Sequence, residues 1–337
     1  MAILAALCYN QAMKRLYYAT FENGFGEVVK KVIKKNDKNS KIKTLYDDAV
    51  LFFADEHFKF KDSCFFDAFI VLHNIHKTGV GALNITIKSL LEKRDLKIAL
   101  PKDAGTVKLT IKKENDNTII DNKLKNAFEV MIKRITKRGI SFFAKDELML
   151  LSKKDGENLF MKRVETTDKF VGLANKYDIR PETAYLICSM SEPRANEVVL
   201  DANASSGVIS FVRANSFSKA NVIAASGNDD DKEKLKRLAK KLKPNTFSVL
   251  GYDFLEDNFP IKFIDKIVTD VTDLGFRGIE NLRDFFDKAF ELNVKMLVLA
   301  MPKNYDVRRF IANRYDIETE ISASKFVAVK LKLKGIN

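Results

Sequence analysis

The sequence predicts an α/β molecule: a doubly wound parallel sheet closed by an antiparallel hairpin, preceded by smaller, basic α+β units. Three observations predict it. After about Arg180, the strand-like runs EVVLDA, NVIAAS, TFSVLGY, FIDKIVTD and KMLVLAMP alternate with helical ones, the pattern of a parallel sheet with helices on both faces. The last two runs, IETEISA and KFVAVKLKL, are joined by a connection too short for a helix, so they pair antiparallel. The net charge of +13 is unevenly divided: residues 1–170 hold 32 Lys and Arg against 22 Asp and Glu, and the remainder holds 26 against 23.

The elements follow in order. RLYYAT (Arg15 to Thr20) reads as a strand, and FENGFGEVVKKVIKK as a turn into an amphipathic helix. KIKTLYDDAVLFFA (Lys41 to Ala54) reads as two strands around a turn at Asp47-Asp48. CFFDAFIVLHNI (Cys64 to Ile75) has helical apolar spacing, which gives a β-α-β-β-α order suited to a ferredoxin-like unit. A second unit begins with NITIKSLLEKRDLKIAL, read as a helix and a strand, and continues with the alternating strand VKLTIKK. NKLKNAFEVMIKRITKRG (Asn122 to Gly139) reads as a helix with Leu124, Phe128, Met131, Ile132 and Ile135 on one face and Gly139 as its C-cap. Lys123, Lys125, Lys133, Arg134, Lys137 and Arg138 occupy much of its remaining surface. ISFFA and ELMLLSKKDGENLFMKRV read as a strand, then two more around a turn at Lys154-Asp155-Gly156.

Composition limits the function. A hydrophobic share of 46% with 31% charged residues fits a soluble protein, and no apolar run approaches the roughly 20 residues that span a bilayer. The start, MAILAALCYNQAMKRL, reads as a terminal helix rather than a signal peptide, having no basic leader. Cys8, Cys64 and Cys188 are scattered, which fits reduced thiols in a cytoplasmic protein and no zinc framework. His57, His73 and His76 all lie in the first quarter, so no Ser-His-Asp or Cys-His machinery can be built on the later fold. The basic first half points to a polyanion, with a Lys-rich solvated surface as the plain alternative. Lys153, Lys154, Lys162 and Arg163 extend the basic candidates from the helix to the hairpin beside it.

A doubly wound sheet ending in a hairpin is the arrangement of class I methyltransferases rather than of dinucleotide-binding folds, and G-x-G-x-x-G is absent. Over most of its length the chain resembles the THUMP-domain class I S-adenosylmethionine-dependent RNA methyltransferases of the tRNA or rRNA guanine-N2 type. RLYYATFENGFGEVVKKVIKK followed by LFFA resembles their ferredoxin-like domain, and Val107 to Val164 their THUMP RNA-binding domain. IRPETAYLIC leading into EVVLDANASSGVISF resembles their Rossmann-like catalytic domain. The resemblance implies a ferredoxin-like domain over 1–80, a THUMP domain over 81–167 and a Rossmann-like methyltransferase domain over 168–337.

The motifs depart from the family's pattern at two places. Where the family reads like LDPFCGSGT, this chain has Asp201, then Asn203 and Ala204, then Ser205, Ser206 and Gly207. Small residues let a backbone approach the cofactor, but Ser205 stands where the family prefers Gly, and Ser at φ > 0 would be strained. Asp229 or Asp230 follows at the distance of a ribose-binding acid, or else caps the helix after it. Asp253 matches the acid that faces the adenine amine. In the fourth strand the family has Asn or Asp, two prolines and an aromatic, which hold the guanine amine and stack on its base. Here the run is IVTDVTDLGF: Asp270 matches the acid, Val271 and Thr272 replace the prolines, and Asp273 replaces the aromatic. Phe276 is the nearest substitute for the stacking ring.

The expectation is an RNA-binding protein, for tRNA or rRNA, in which S-adenosylmethionine binding and methyl transfer are impaired or lost. Such a pseudo-enzyme would serve as a scaffold or with a protein partner subunit. The alternative is an active methyltransferase in which Asp270 orients the target amine. No metal is expected.

Overall fold

The computed structural model describes residues 14–60, 63–93, 98, 100, 105–114, 119–166, 179–244, 246–272 and 279–335. The expected terminal helix, most of the expected strand near Leu96–Leu100, Asp273 and Phe276 lie outside the described residues.

The first half folds around one eight-stranded sheet, in the order β2-β3-β1-β4-β8-β7-β5-β6. Its first part comprises β1 (Lys14–Thr20), α1 (Gly26–Asn36), β2 (Lys41–Leu45), β3 (Ala49–Asp55) and β4 (Asp67–His76). Helix α1 buries Val28, Val29, Val32 and Ile33, the spacing of one helical face, and carries Glu27 in its first turn and Lys34 and Lys35 in its last. The segment expected to be a second helix is instead the strand β4. It lies between β1 and β8, pairing Thr20 with Asp67 and His76 with Glu157 at its two ends. Its side chains are buried or half-buried on both faces except at His76, so apolar need not alternate with polar, and Phe69, Ile70, Val71 and Ile75 are residue types that favour strands. The apolar spacing of this short run fits both periods, and tertiary pairing decides between them.

The second part comprises α2 (Ala82–Glu92), β5 (Thr106–Lys113), α3 (Asn122–Thr136), β6 (Gly139–Ile140), β7 (Glu147–Ser152) and β8 (Glu157–Val164). Helix α3 is capped by Asp121, whose carboxylate accepts from the backbone N–H groups of Lys123 at 2.7 Å and Leu124 at 3.3 Å. Its left-handed C-cap is Lys137, at φ 54°, not Gly139, which begins β6. Phe128, Met131 and Ile132 are buried as the periodicity predicts, with Leu124 and Ile135 partly buried beside them.

The second half begins with α4 (Pro181–Met190) and carries a seven-stranded sheet in the order β11-β10-β9-β12-β13-β15-β14. Its elements are β9 (Val198–Asp201), α5 (Val208–Ser216), β10 (Asn221–Ala225), α6 (Asp229–Leu242), β11 (Phe247–Leu250), β12 (Lys266–Asp270), α7 (Ile279–Glu291), β13 (Met296–Pro302), α8 (Arg308–Ile311), β14 (Tyr315–Ser322) and β15 (Phe326–Leu333). Strands β9 to β13 are parallel, and β15 runs antiparallel to both its neighbours, as the short connection requires. The strand order reverses between β9 and β12, which opens a crevice at their C-terminal ends.

The halves share one core. Buried side chains run without a break from Tyr17, Phe52 and Phe65 through Leu186 and Ile187 to Val199, Val268 and Val298. Phe25 packs on Phe326 with ring centres 6.3 Å apart. Glu22 accepts from the N–H of Ser324 at 3.1 Å, and its other oxygen from Thr183 Oγ1 at 3.3 Å. Gly24 sits at φ +85°, where an added Cβ would lie 2.6 Å from the carbonyl oxygen of Ser322.

Candidate functional site

Asp201 ends β9, but its side chain is 4% exposed and turns inward. It accepts from Thr269 Oγ1 at 2.6 Å and from Ser210 Oγ, so it ties β9 to β12 and α5. Burial pushes its carboxyl pKa up, against the downward pull of the Ser210 and Thr269 hydroxyls. The loop after it supplies Ala202, Asn203 and Ser205 to a cleft of about 300 Å³. Ser205 does not have a positive φ; the left-handed residue is Gly207, at φ 73°. The strain expected of a serine there is therefore absent. A Cβ on Gly207 would meet Leu235 Cδ2 at 2.4 Å, so glycine is required both by φ and by space. Ser206 Oγ accepts from the N–H of Val208 at 3.4 Å, at the entry to α5.

The second wall of the cleft is Ser226, Gly227, Asn228 and Asp231. Asn228 caps α6, accepting from the N–H groups of Asp230 at 2.9 Å and Asp231 at 3.2 Å. Asp229 stands in solvent beside Lys232 at 3.5 Å, and Asp230 is exposed in the same turn. Of the three consecutive acids it is thus Asp231 that helix phase brings to the cleft. Asp253 and Glu256 form the third wall. Gly227 lies so close to Asp253 that an added Cβ would be 2.9 Å from Asp253 Cβ. Among the described residues, three carboxylates and no cationic side chain line the cleft. Such a wall accepts hydrogen bonds from hydroxyl and ammonium groups and repels phosphate.

The fourth loop adjoins it. Asp270 ends β12, and one oxygen of its carboxylate accepts from both the N–H and the hydroxyl of Thr272, at 2.9 and 2.6 Å. The side-chain amide of Asn203 donates to the Asp270 carbonyl at 2.9 Å, and the Asn203 N–H donates to Thr269 Oγ1 at 3.1 Å. Asn203 therefore joins the cleft wall to the end of β12. Its role, like those of Gly227, Asp231 and Glu256, does not emerge from the sequence reading. Only Asp231 carries a signal there, one turn position inside a helix whose cap is Asn228.

No protein-family model and no curated protein matches the chain. Solved structures match it along almost its whole length. TrmN from Thermus thermophilus superimposes with a TM-score of 0.76 at 11% identity, covering 95% of this chain and 100% of that one. A protein of Clostridium difficile 630 described as a possible methylase gives 0.71 at 10% identity, over 96% and 99% of the two chains. SMU.472, solved in complex with SAH, gives 0.71 at 10% identity over the same shares. The fold is that of a class I methyltransferase. In this methyltransferase fold the cleft lies at the strand-order reversal, and the first half of the chain is part of the matched architecture.

The basic candidates divide into two sets. Lys123, Lys125, Lys133, Arg134 and Lys137 are exposed along α3, and Lys154 is exposed at the β7–β8 turn. The others have partners. Arg138 pairs with Asp146 at 3.2 Å, and Arg163 bridges Glu147 at 3.1 Å and Asp67. Lys153 is buried, with its ammonium 2.7 Å from Glu114 and 4.0 Å from the centre of the Tyr46 ring. Lys162 is half-buried, and burial pushes its ammonium pKa down. Among the described residues, no group of His, Cys, Asp and Glu is arranged to hold a metal ion, and no helix is long and apolar enough to cross a membrane.

Proposed function

We propose that the chain is an RNA-binding protein of the THUMP methyltransferase type that holds S-adenosylmethionine in the cleft but is impaired in methyl transfer. The observation that carries it is the acid wall of Asp231, Asp253 and Glu256 at the strand-order reversal, closed around Gly227. S-adenosylmethionine has no phosphate and offers two ribose hydroxyls, an ammonium and a sulfonium, which suit carboxylate acceptors. Asp231 would take the ribose hydroxyls and Asp253 the adenine amine, with Ser205 and Asn203 beside the methionine end. When bound, the cofactor supplies an electrophilic methyl group. SMU.472, of the same fold, was solved with SAH.

The impairment lies in the fourth loop. A carboxylate that holds a guanine amine must have lone pairs turned to it. Here one Asp270 oxygen already accepts twice from Thr272. Neither proline is there to stiffen the turn. RNA binding rests on the exposed cations of α3 in a half with ten excess positive charges. Two of the structures of the same fold bear the descriptions TrmN and methylase.

Calorimetric titration with S-adenosylmethionine, and with S-adenosylhomocysteine as second ligand, tests the cleft. The expected result is a dissociation constant on the order of micromolar, weakened about tenfold by Asp231→Asn. No heat and no thermal shift at millimolar ligand would refute it. RNA affinity should fall steeply with salt, and Lys133→Glu with Arg134→Glu should lower both the affinity and the salt slope. The second reading, an active transferase, is favoured by one observation: Asn203 links the cleft wall directly to Asp270. Labelled methyl transfer into unmodified tRNA or rRNA, lost in Asp270→Ala, would establish that reading over the impaired one.

A further inference from the structure

Two phenylalanines stand side by side in solvent between β6 and β7. Phe142 is 87% exposed and Phe143 97%. Single exposed apolar side chains are ordinary. Two adjacent rings held almost wholly in solvent are not. The turn that presents them is anchored. The N–H of Ser141 donates to the carbonyl of Val107 at 3.0 Å, that of Ala144 to the carbonyl of Ser141 at 3.4 Å, and that of Phe143 to Ser141 Oγ at 3.3 Å. The turn therefore holds the rings out rather than leaving them on a loose strand end.

The surroundings select a partner. Exposed Lys137 precedes the turn and exposed Lys145 follows it, and Lys133 and Arg134 stand in the last turn of α3 just before. The acid next along the chain, Asp146, is engaged by Arg138. Flat apolar faces flanked by cations fit a polyanion that carries its own flat faces. Single-stranded nucleic acid offers both, since unpaired bases stack on aromatic rings while the backbone pairs with lysine. A duplex hides those faces within its own stack.

We propose that Phe142 and Phe143 form a stacking platform for unpaired bases of RNA, with Lys137 and Lys145 holding the adjoining phosphates. The proposal rests on the RNA-binding reading above and adds the kind of RNA and the residues that grip it.

The sequence contains no tryptophan, so Phe143→Trp in the full chain introduces a single indole at the platform. Its emission is followed during titration with a 12-nucleotide oligouridylate, and binding is measured separately by anisotropy of the end-labelled oligomer. The expected result is quenching that saturates with the anisotropy curve. Phe142→Ala with Phe143→Ala should weaken binding about tenfold or more, as loss of base stacking does, with the salt slope unchanged. The doubly substituted Tyr variant should retain affinity, and thermal midpoints should not move. An unquenched indole on a bound oligomer overturns the platform alone, as does unchanged affinity of the double Ala variant or equal quenching by a duplex. Loss of self-association in that variant with RNA affinity intact would assign the rings to a protein contact and also overturns it. No oligomer binding by the unsubstituted protein, in anisotropy and at low salt, would remove the RNA-binding reading and the platform with it.

Discussion

Asp201 is a buried acid of the second half. It ends the first strand of the methyltransferase sheet as the sequence motif demands, yet its carboxylate faces Ser210 and Thr269 rather than the cleft. Its elevated pKa has a consequence for stability. An acid that holds its proton more tightly when folded makes the folded state lose stability as pH rises above 3.8, the ordinary value, until its own higher pKa is passed. Asp201→Asn should remove that decline, so the stability difference between the two proteins should shift in the variant's favour across this window and then level off. Urea melts at a series of pH values would show it; a pH-independent difference would mean that the buried carboxyl is not a net cost. Sequence inspection could find Asp253 and Gly207 because their places are set by strand ends. It could not choose among Asp229, Asp230 and Asp231, because the choice depends on where Asn228 starts the helix. Nor could it show that Asn203 reaches the Asp270 carbonyl, a partner 67 residues away.

Among the elements, the N-terminal ends of the central strands β9 and β12, opposite the cleft, are held by charge. Glu197, just before β9, receives Arg213 of α5 at 2.6 Å and Lys266 of β12 at 2.6 Å, and all three side chains are buried. Lys266 also donates to the carbonyls of Ser191 and Glu192 after α4. Glu197→Ala would leave two buried cations without their anion and should cost about 3–5 kcal/mol in chemical denaturation. A loss below about 1 kcal/mol would show that water reaches the pair. Nothing in the sequence marks this cluster, since its members lie in three separate segments. Helix α3 and the β7–β8 hairpin were legible because one clear apolar period and a Gly-containing turn define them. Strand β4 was not, because both of its faces are at least partly covered, which removes the alternation that would identify it.

For the whole molecule, the doubly wound second half follows from periodicity and connection lengths. The joining of the first half into a single sheet does not, because β4 and β8 pair residues some 80 to 100 positions apart. The shared core predicts cooperative unfolding. Calorimetry should show one transition for both halves, and Phe326→Ala should lower its midpoint without splitting it, at a cost of about 3–5 kcal/mol if the site stays open. Two well-separated transitions would mean that Phe25, Glu22 and their partners add little across the junction. The same junction bears on substitution. Phe25 and Phe326 complete each other's packing, and Gly24 keeps a position that only a residue without a side chain can fill against Ser322. Loss of the second half would leave the first with an open apolar face and Glu22 without Thr183 and Ser324. A substitution on one face of the junction is therefore tolerated only where the other face can accommodate it.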